Sequence, residues 1–191
     1  MHLSPTYPVL TQRLRLRPVT TDDVEAMLAY RGRADVCRFL PFEPMTRERL
    51  IERVTGDLGL TTLTESGQAL TLGVESASTG ALLGDVVLMF HSSEQRAGEV
   101  GWVFHPDVAG HGYASEASAA LLALAFEDLG LHRVVARIDA RNDSSARLAT
   151  RLGMRQEAHL ISNEWLKGEW TDEIIFAMLE DEWALRRKAS R

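Results

Sequence analysis

The segment EVGWVFHPDVAGHGYASEA, Glu99 to Ala117, constrains the fold more than any other part of this 191-residue chain. Its apolar run EVGWVF reads as a strand, and the alanine-rich stretch from Tyr113 to Leu129 reads as a helix stopped by Gly130. Gly110 and Gly112 stand between them, and glycines weaken local structure unless the backbone needs an unusual conformation or a close approach. A helix N-terminus presents N–H groups that have no partner within the helix, at the positive end of its dipole. Two readings fit. In one, a tight turn packs the helix closely on its sheet. In the other, Gly110, His111, Gly112, Tyr113 and Ala114 offer their N–H groups to a pyrophosphate, while small Ala114 and Ser115 keep the wall low. A dinucleotide-binding turn fits poorly, because Ser115 stands where a third glycine belongs and the nearest acidic strand end, Asp139, comes too late.

The flanking chain frames this unit. RLRLRP, Arg13 to Pro18, alternates with Leu14 and Leu16 on one face and reads as a strand. Thr20 or Thr21 caps a helix whose first turn holds Asp22, Asp23 and Glu25. A short helical turn over Arg33 to Arg38 and a break at PFEP, Pro41 to Pro44, precede a helix from Thr46 to about Leu58. Strands follow at Gln68–Glu75, Leu82–Phe90 and Gly98–Phe104, the first two separated by a turn at Ser78-Thr79-Gly80. After the long helix come a strand, His132–Ala140, and a helix, Asn142–Leu152, with Asn142 as N-cap and Gly153 at its end. Two strands close the chain, Met154–Trp165 and Trp170–Leu179, joined at Lys167-Gly168. Early hairpins imply antiparallel pairs, and the later strand–helix–strand unit implies a parallel one. The prediction is one α/β domain over residues 1–191, with its core in about 11–183. Its mixed, mostly antiparallel sheet has six or seven strands and helices on both faces.

Composition narrows the function. A net charge of −6 argues against a nucleic-acid-binding domain, which normally carries a basic face. No apolar run approaches the ~18 residues of a membrane span. The N-terminus lacks the pattern of a secretory signal, so a cytoplasmic protein is expected. Cys37 is the single cysteine, which rules out an intrachain disulfide, and it reads as a buried structural thiol. His105 and His111 flank the glycine turn, but no further ligand completes a metal pattern, and no metal is expected.

With these elements in place, EVGWVFHPDVAGHGYASEA resembles the acyl-CoA-binding motif of the GNAT superfamily of N-acetyltransferases. Gly112 and Ala114 match the last two positions of that motif, and Ala109 stands where Gln or Arg is usual. RNDSSARLATRLGMRQEA, Arg141 to Ala158, is similar to the family's Asn-containing helix. EWLKGEWTDEIIFAMLEDEW, Glu164 to Trp183, and TQRLRLRPVTTDDVEAML, Thr11 to Leu28, resemble the end and opening of the ribosomal-protein N-terminal acetyltransferase branch. The likeness covers about Thr11 to Trp183.

The resemblance implies a reaction that moves acetyl from acetyl-CoA to a primary amine through a tetrahedral oxyanion, without metal. It implies that the N–H groups of Ala109 to Ser115 hold the pyrophosphate. The edge formed by Gly101, Trp102, Val103 and Phe104 would pair with the pantetheine amides as an added strand. Asn142 would bond the pantetheine region besides capping its helix. The tyrosine that many members place seven residues after this Asn is replaced by Ala149. Ser145, three residues after it and on the same helical face, is the branch's substitute donor to the thiolate. Glu164 fits the branch position for a base, Glu99 is second, and Glu116 reads as a surface or capping carboxylate. Trp165, Trp170 and Trp183 would pack the sheet, rim the acceptor cleft or serve a homodimer contact. The acceptor would be a protein N-terminus or a small amine such as a polyamine or an amine-bearing antibiotic. A non-catalytic acyl-CoA sensor or scaffold is the alternative, kept open by Ala109 and Ala149.

Overall fold

The computed structural model describes residues 1–189. Its strands are β1 (Val9–Leu10), β2 (Leu14–Pro18), β3 (Ala69–Ser76), β4 (Leu82–Ser92), β5 (Ala97–Phe104), β6 (Arg133–Asp139), β7 (Arg155–Leu166) and β8 (Glu169–Leu179). Its α-helices are α1 (Val24–Arg31), α2 (Ala34–Cys37), α3 (Arg47–Thr55), α4 (Tyr113–Ala123), α5 (Asp143–Leu152) and α6 (Glu180–Ala189). All strands join one sheet in the order β1-β2-β3-β4-β5-β6-β8-β7, and only β5 and β6 pair in parallel. The mixed sheet predicted from sequence is therefore present, with eight strands instead of six or seven. The extra strand, β1, is two residues long and pairs back on β2, which is too short for alternation to show.

Helices cover both faces. Ala117, Leu121 and Leu122 of α4, Leu148 and Leu152 of α5 and Trp183 of α6 form one core with the sheet. Val24, Met27 and Tyr30 of α1 and Leu50 and Val54 of α3 form a second core on the opposite face. β5 feeds both, Val100 entering the first and Val103 the second. Local capping follows the sequence. Thr46 Oγ1 accepts the Arg49 N–H at the start of α3, and Gly153 closes α5 at φ +87°.

Three expectations need correction. The helix from Tyr113 is α-helical only to Ala123, and a π-helical turn over Leu124–Asp128 replaces its end. The helix from Thr46 stops at Thr55, and a separate 3₁₀ turn covers Asp57–Gly59. The chain does not end on a strand, because α6 follows. Its acidic first turn (Glu180, Asp181, Glu182) and basic last turn (Arg186, Arg187, Lys188) suit the helix dipole, and Trp183 anchors it by stacking on Phe126 and donating to Glu127 at 2.8 Å.

One buried network fixes a wall of the site. Arg31, at the end of α1, donates to both oxygens of Asp85 on β4 at 2.9 and 2.6 Å, and the Tyr30 hydroxyl donates to the same carboxylate at 2.7 Å. The Arg31 carbonyl accepts from the Met45 N–H and from Cys37 Sγ. Cys37 is buried, as expected, and burial pushes its thiol pKa up. The loop from Arg38 to Pro44 is thus tied at both ends to the Arg31 main-chain carbonyl, and the Arg31 guanidinium lies 5.1 Å from the Phe42 ring.

Candidate active site

β5 is bonded to β4 from Ala97 to Phe104 but to β6 only over three pairs, Ala97↔Arg133, Gly98↔Val134 and Glu99↔Val135. Beyond Glu99 the edge of β5 that faces β6 has no strand partner among the described residues. A cavity of about 350 Å³ occupies this opening. Trp102, Asn142 and Ser145 line it from the α4/α5 side, and Phe42, Leu58 and Val103 line it from the α1/α3 side. An unpaired strand edge inside a partly apolar cleft suits a ligand that carries amide groups.

The glycine turn lies past the end of β5. Gly110 and Gly112 have φ of +82° and +80°, which other residues adopt at a cost. A Cβ at Gly112 would come no closer than 3.5 Å to another side chain, so the backbone conformation itself calls for glycine there. The Ala109 N–H already donates to Pro106 O at 3.1 Å. The N–H groups of Gly110 through Ser115 have no acceptor among the described residues. The run of free donors therefore begins one residue later than Ala109, and it fits an anion at the helix start. Arg13 donates to His111 O at 3.0 Å and lies over the Tyr113 ring, and Arg151 reaches Ser115 Oγ at 3.4 Å. His111 bonds the Ala109 carbonyl and stacks on Tyr113. Glu116 is structural: Thr11 Oγ1, the Arg13 N–H and Arg13 Nε all donate to it. Partial burial opposes its charge, but these bonds outweigh burial and hold its pKa below the usual range.

At the start of α5, Asn142 Oδ1 accepts the Ser145 N–H at 3.1 Å and the Ser144 hydroxyl at 2.8 Å. The Asn142 side-chain amide keeps two free donors. Trp102 Nε1 donates to Ser145 Oγ at 3.1 Å, which leaves the serine proton available to a third group. Ala149 is fully buried in the core and has no side-chain donor to offer.

The opposite wall is acidic. Glu99, Glu164 and Glu173 all line the cavity. Arg137 of β6 lies 3.0 Å from Glu173 and 3.6 Å from Glu99, His91 bonds Glu99 at 3.1 Å, and Asn163 donates to Glu173 at 3.0 Å. Among the described residues no Lys or Arg forms an ion pair with Glu164, and the nearby Arg137 charge only partly offsets what raises its pKa. Two register shifts in β7, at Gln156/Ala158 and Leu160/Glu164, place Glu164 opposite Thr171 at the cavity rim. It is exposed there, yet withdrawal from water is the largest cause raising its pKa, followed by the carboxylates of Glu173 and Asp139.

Most residues expected from sequence converge. Trp102, Val103, Glu99, Asn142, Ser145 and Glu164 line one cavity, Phe104 ends β5 just beyond it, and Ala109 to Ser115 form the turn outside it. Glu173, Arg137 and the Phe39–Phe42 wall were not anticipated. A charged residue inside an otherwise apolar strand, as in HRVVARIDA and WTDEIIF, was the available signal. Trp183 is core, but Trp165 and Trp170 do not pack the sheet. They are 60% and 61% exposed at the β7–β8 tip, edge to face at 5.4 Å. Among the described residues no His, Cys, Asp and Glu group is arranged to hold a metal, and no helix is long and apolar enough to cross a membrane.

Comparison with known proteins agrees with this geometry. Residues 13–155 match the model of the acetyltransferase (GNAT) domain family. A Bacillus subtilis protein named as an uncharacterized N-acetyltransferase, YnaD, is 31% identical over 175 residues, which is 92% of this chain and 98% of the relative. The crystal structure of a GNAT-family acetyltransferase from Bacillus anthracis superposes with a TM-score of 0.81 at 29% identity, covering 95% of this chain and 99% of the other. A Vibrio cholerae spermidine N-acetyltransferase in complex with CoA and spermine shares the fold, with a TM-score of 0.78 at 20% identity over 91% of this chain and 99% of the other. With its open strand edge, its glycine turn and this family match, the chain belongs to the GNAT acetyltransferase family and is an acetyl-CoA-dependent acetyltransferase that acts on an amine.

Proposed function

We propose that the acceptor is the α-amine of a protein or peptide N-terminus, and that Glu164 and Ser145 carry the chemistry. The observation behind this reading is the position of Glu164 at the cavity rim, the one lining carboxylate that forms no ion pair among the described residues. A single ammonium would be drawn to Glu164, the apolar Phe42 and Leu58 would receive a small first side chain, and the rest of a peptide would leave past the exposed rim at Glu164. A Bacillus subtilis relative, 27% identical over 104 residues, is named as a candidate ribosomal N-acetyltransferase, YdaF, which favours the same acceptor class.

In this reading Glu164 takes a proton from the amine, and its raised pKa makes it the stronger base. The nitrogen then bonds the acetyl carbon, and negative charge builds on the carbonyl oxygen where N–H groups of the open β5 edge can stabilise it. As the carbon–sulfur bond breaks, the nitrogen gives up its second proton, which passes through water to the departing thiolate, and the Ser145 hydroxyl hydrogen-bonds that sulfur. The free N–H groups of Gly110 to Ser115 hold the pyrophosphate, and the Asn142 amide bonds pantetheine.

The three carboxylates favour a second reading, a polyamine. A thiol-release assay with acetyl-CoA and a panel of N-terminal peptides, small monoamines and polyamines tests both. Peptides should give the highest kcat/KM. Faster turnover of a polyamine would replace the first reading with the second, and acetyl-CoA binding without turnover of any amine would leave only a sensor.

A further inference from the structure

Half of the charged side chains that line the cavity are held in ion pairs, some with partners behind its wall. Arg53 pairs with Asp57 at 2.6 Å, Arg141 with Asp139 at 2.7 Å, and Arg31 with Asp85 at 2.6 Å. Three carboxylates remain, Glu99, Glu164 and Glu173, with one guanidinium, Arg137, among them. These residues come from β5, β7, β8 and β6. Strand pairing sets Glu99 beside Val135 and Asp139 beside Glu173, so Glu99, Arg137 and Glu173 project from the same face. The Glu99 and Glu173 side chains are only 15% and 8% exposed, whereas that of Arg137 is 49% exposed. Two nearly buried carboxylates need a cation, and this one stands on a long side chain open to the cleft.

We propose that Arg137 is a tethered cation filling the second ammonium position of the acceptor cleft, and that it thereby restricts the enzyme to acceptors with one positive charge near the reacting nitrogen. The proposal rests on reading the cavity as the acceptor cleft. A free monoamine meets Glu164 and leaves Arg137 in place. A polyamine that brings its first nitrogen to Glu164 has to seat its next ammonium between Glu99 and Glu173, where it competes with a guanidinium that is always present. Tethering makes that competition one-sided, because an attached group has a high effective concentration. Arg137 is thus a specificity-determining residue and takes no part in the bond-making step. Without it, Glu99 would keep only His91 and Glu173 only the Asn163 amide, and the pair would welcome the second charge of the substrate.

The wild-type enzyme provides the first test. Spermidine should inhibit acetylation of an N-terminal peptide with a Ki at least tenfold above the peptide's KM. Inhibition at or below the peptide's KM would overturn the proposal with no variant needed. In Arg137→Gln, kcat/KM for spermidine relative to the peptide should rise at least tenfold, mostly through KM. Arg137→Lys should keep the wild-type ratio, and adding Glu173→Gln to Arg137→Gln should cancel most of the gain. A folded Arg137→Gln enzyme with normal acetyl-CoA affinity and an unchanged ratio would also overturn it. Glu164→Gln separates this from failure of the cleft reading. If that variant slows every acceptor while the Arg137→Gln ratio stays fixed, only the role of Arg137 is lost. If neither variant alters the kinetics of any amine, the cavity is not the acceptor cleft, and the proposal goes with it.

Discussion

The two ends of β5 present different kinds of group to a ligand. Past Phe104 the chain offers main chain: free N–H groups from Gly110 to Ser115, set by two glycines with positive φ and by the start of α4. Near Glu99, where β5 parts from β6, it offers side chains, three carboxylates and one guanidinium from four strands. The first arrangement suits a ligand that is the same in every turnover, because backbone donors cannot be exchanged one at a time. The second suits a ligand that can differ between related enzymes, because each side chain can change alone.

If the two ends are independent, a change at one should leave the other untouched, and the expected effects can be ranked. The largest is at the acceptor end. Glu164→Gln should lower kcat/KM by about 10²-fold, within the usual range for a positioned base, while the Kd of acetyl-CoA stays within twofold. A wild-type rate would remove Glu164 from the chemistry. Next comes the main-chain end. Gly112→Val forces a β-branched residue to φ +80°, and acetyl-CoA binding followed by calorimetry should weaken at least tenfold with peptide KM unchanged. Unaltered affinity would count against the anion cradle. Ser145→Ala, at the junction of the two ends, should slow turnover about tenfold without changing either affinity, and rapid-mixing thiol release would show whether the loss lies in the chemical step.

The smallest effect is a displacement along the pH axis. Because the Glu164 pKa is raised and a base must be ionised, kcat/KM should fall as pH drops through a value above the ordinary glutamate range. This acid limb should vanish in Glu164→Gln. A limb that persists there would show that a group other than Glu164 is the base. Linkage gives the sign of a stability effect as well. A carboxyl whose folded pKa is raised opposes folding once it is ionised, so Glu164→Gln at neutral pH should leave Tm equal or slightly higher.

How much could be read in advance differs between the ends for the same reason. EVGWVFHPDVAGHGYASEA carries strand, turn and helix start within 19 consecutive residues, and each is encoded by its neighbours. Asn142 as N-cap and Gly153 as helix stop are equally local, and both stand as expected. Glu99 and Glu164 were found in sequence by resemblance, but the link between them, Arg137 with Glu173, was not. Nothing near Arg137 in the chain says that β8 will lie between β6 and β7 and carry Glu173 to it. Trp165 and Trp170 show the complementary case: of the core, rim and dimer-contact readings open in sequence, their exposure at a hairpin tip removes only the first.

By itself, then, the sequence determined which segments are strand, turn and helix around the glycines, where backbone donors would face an anion, and the family that this combination marks. Only the tertiary structure decided that β5 and β6 separate after three pairs, that carboxylates from distant strands meet in the gap, and that one arginine stands among them. Hydrogen bonding and capping within a turn depend on residues a few positions apart. The charge balance of a cleft depends on which strands the whole sheet brings side by side.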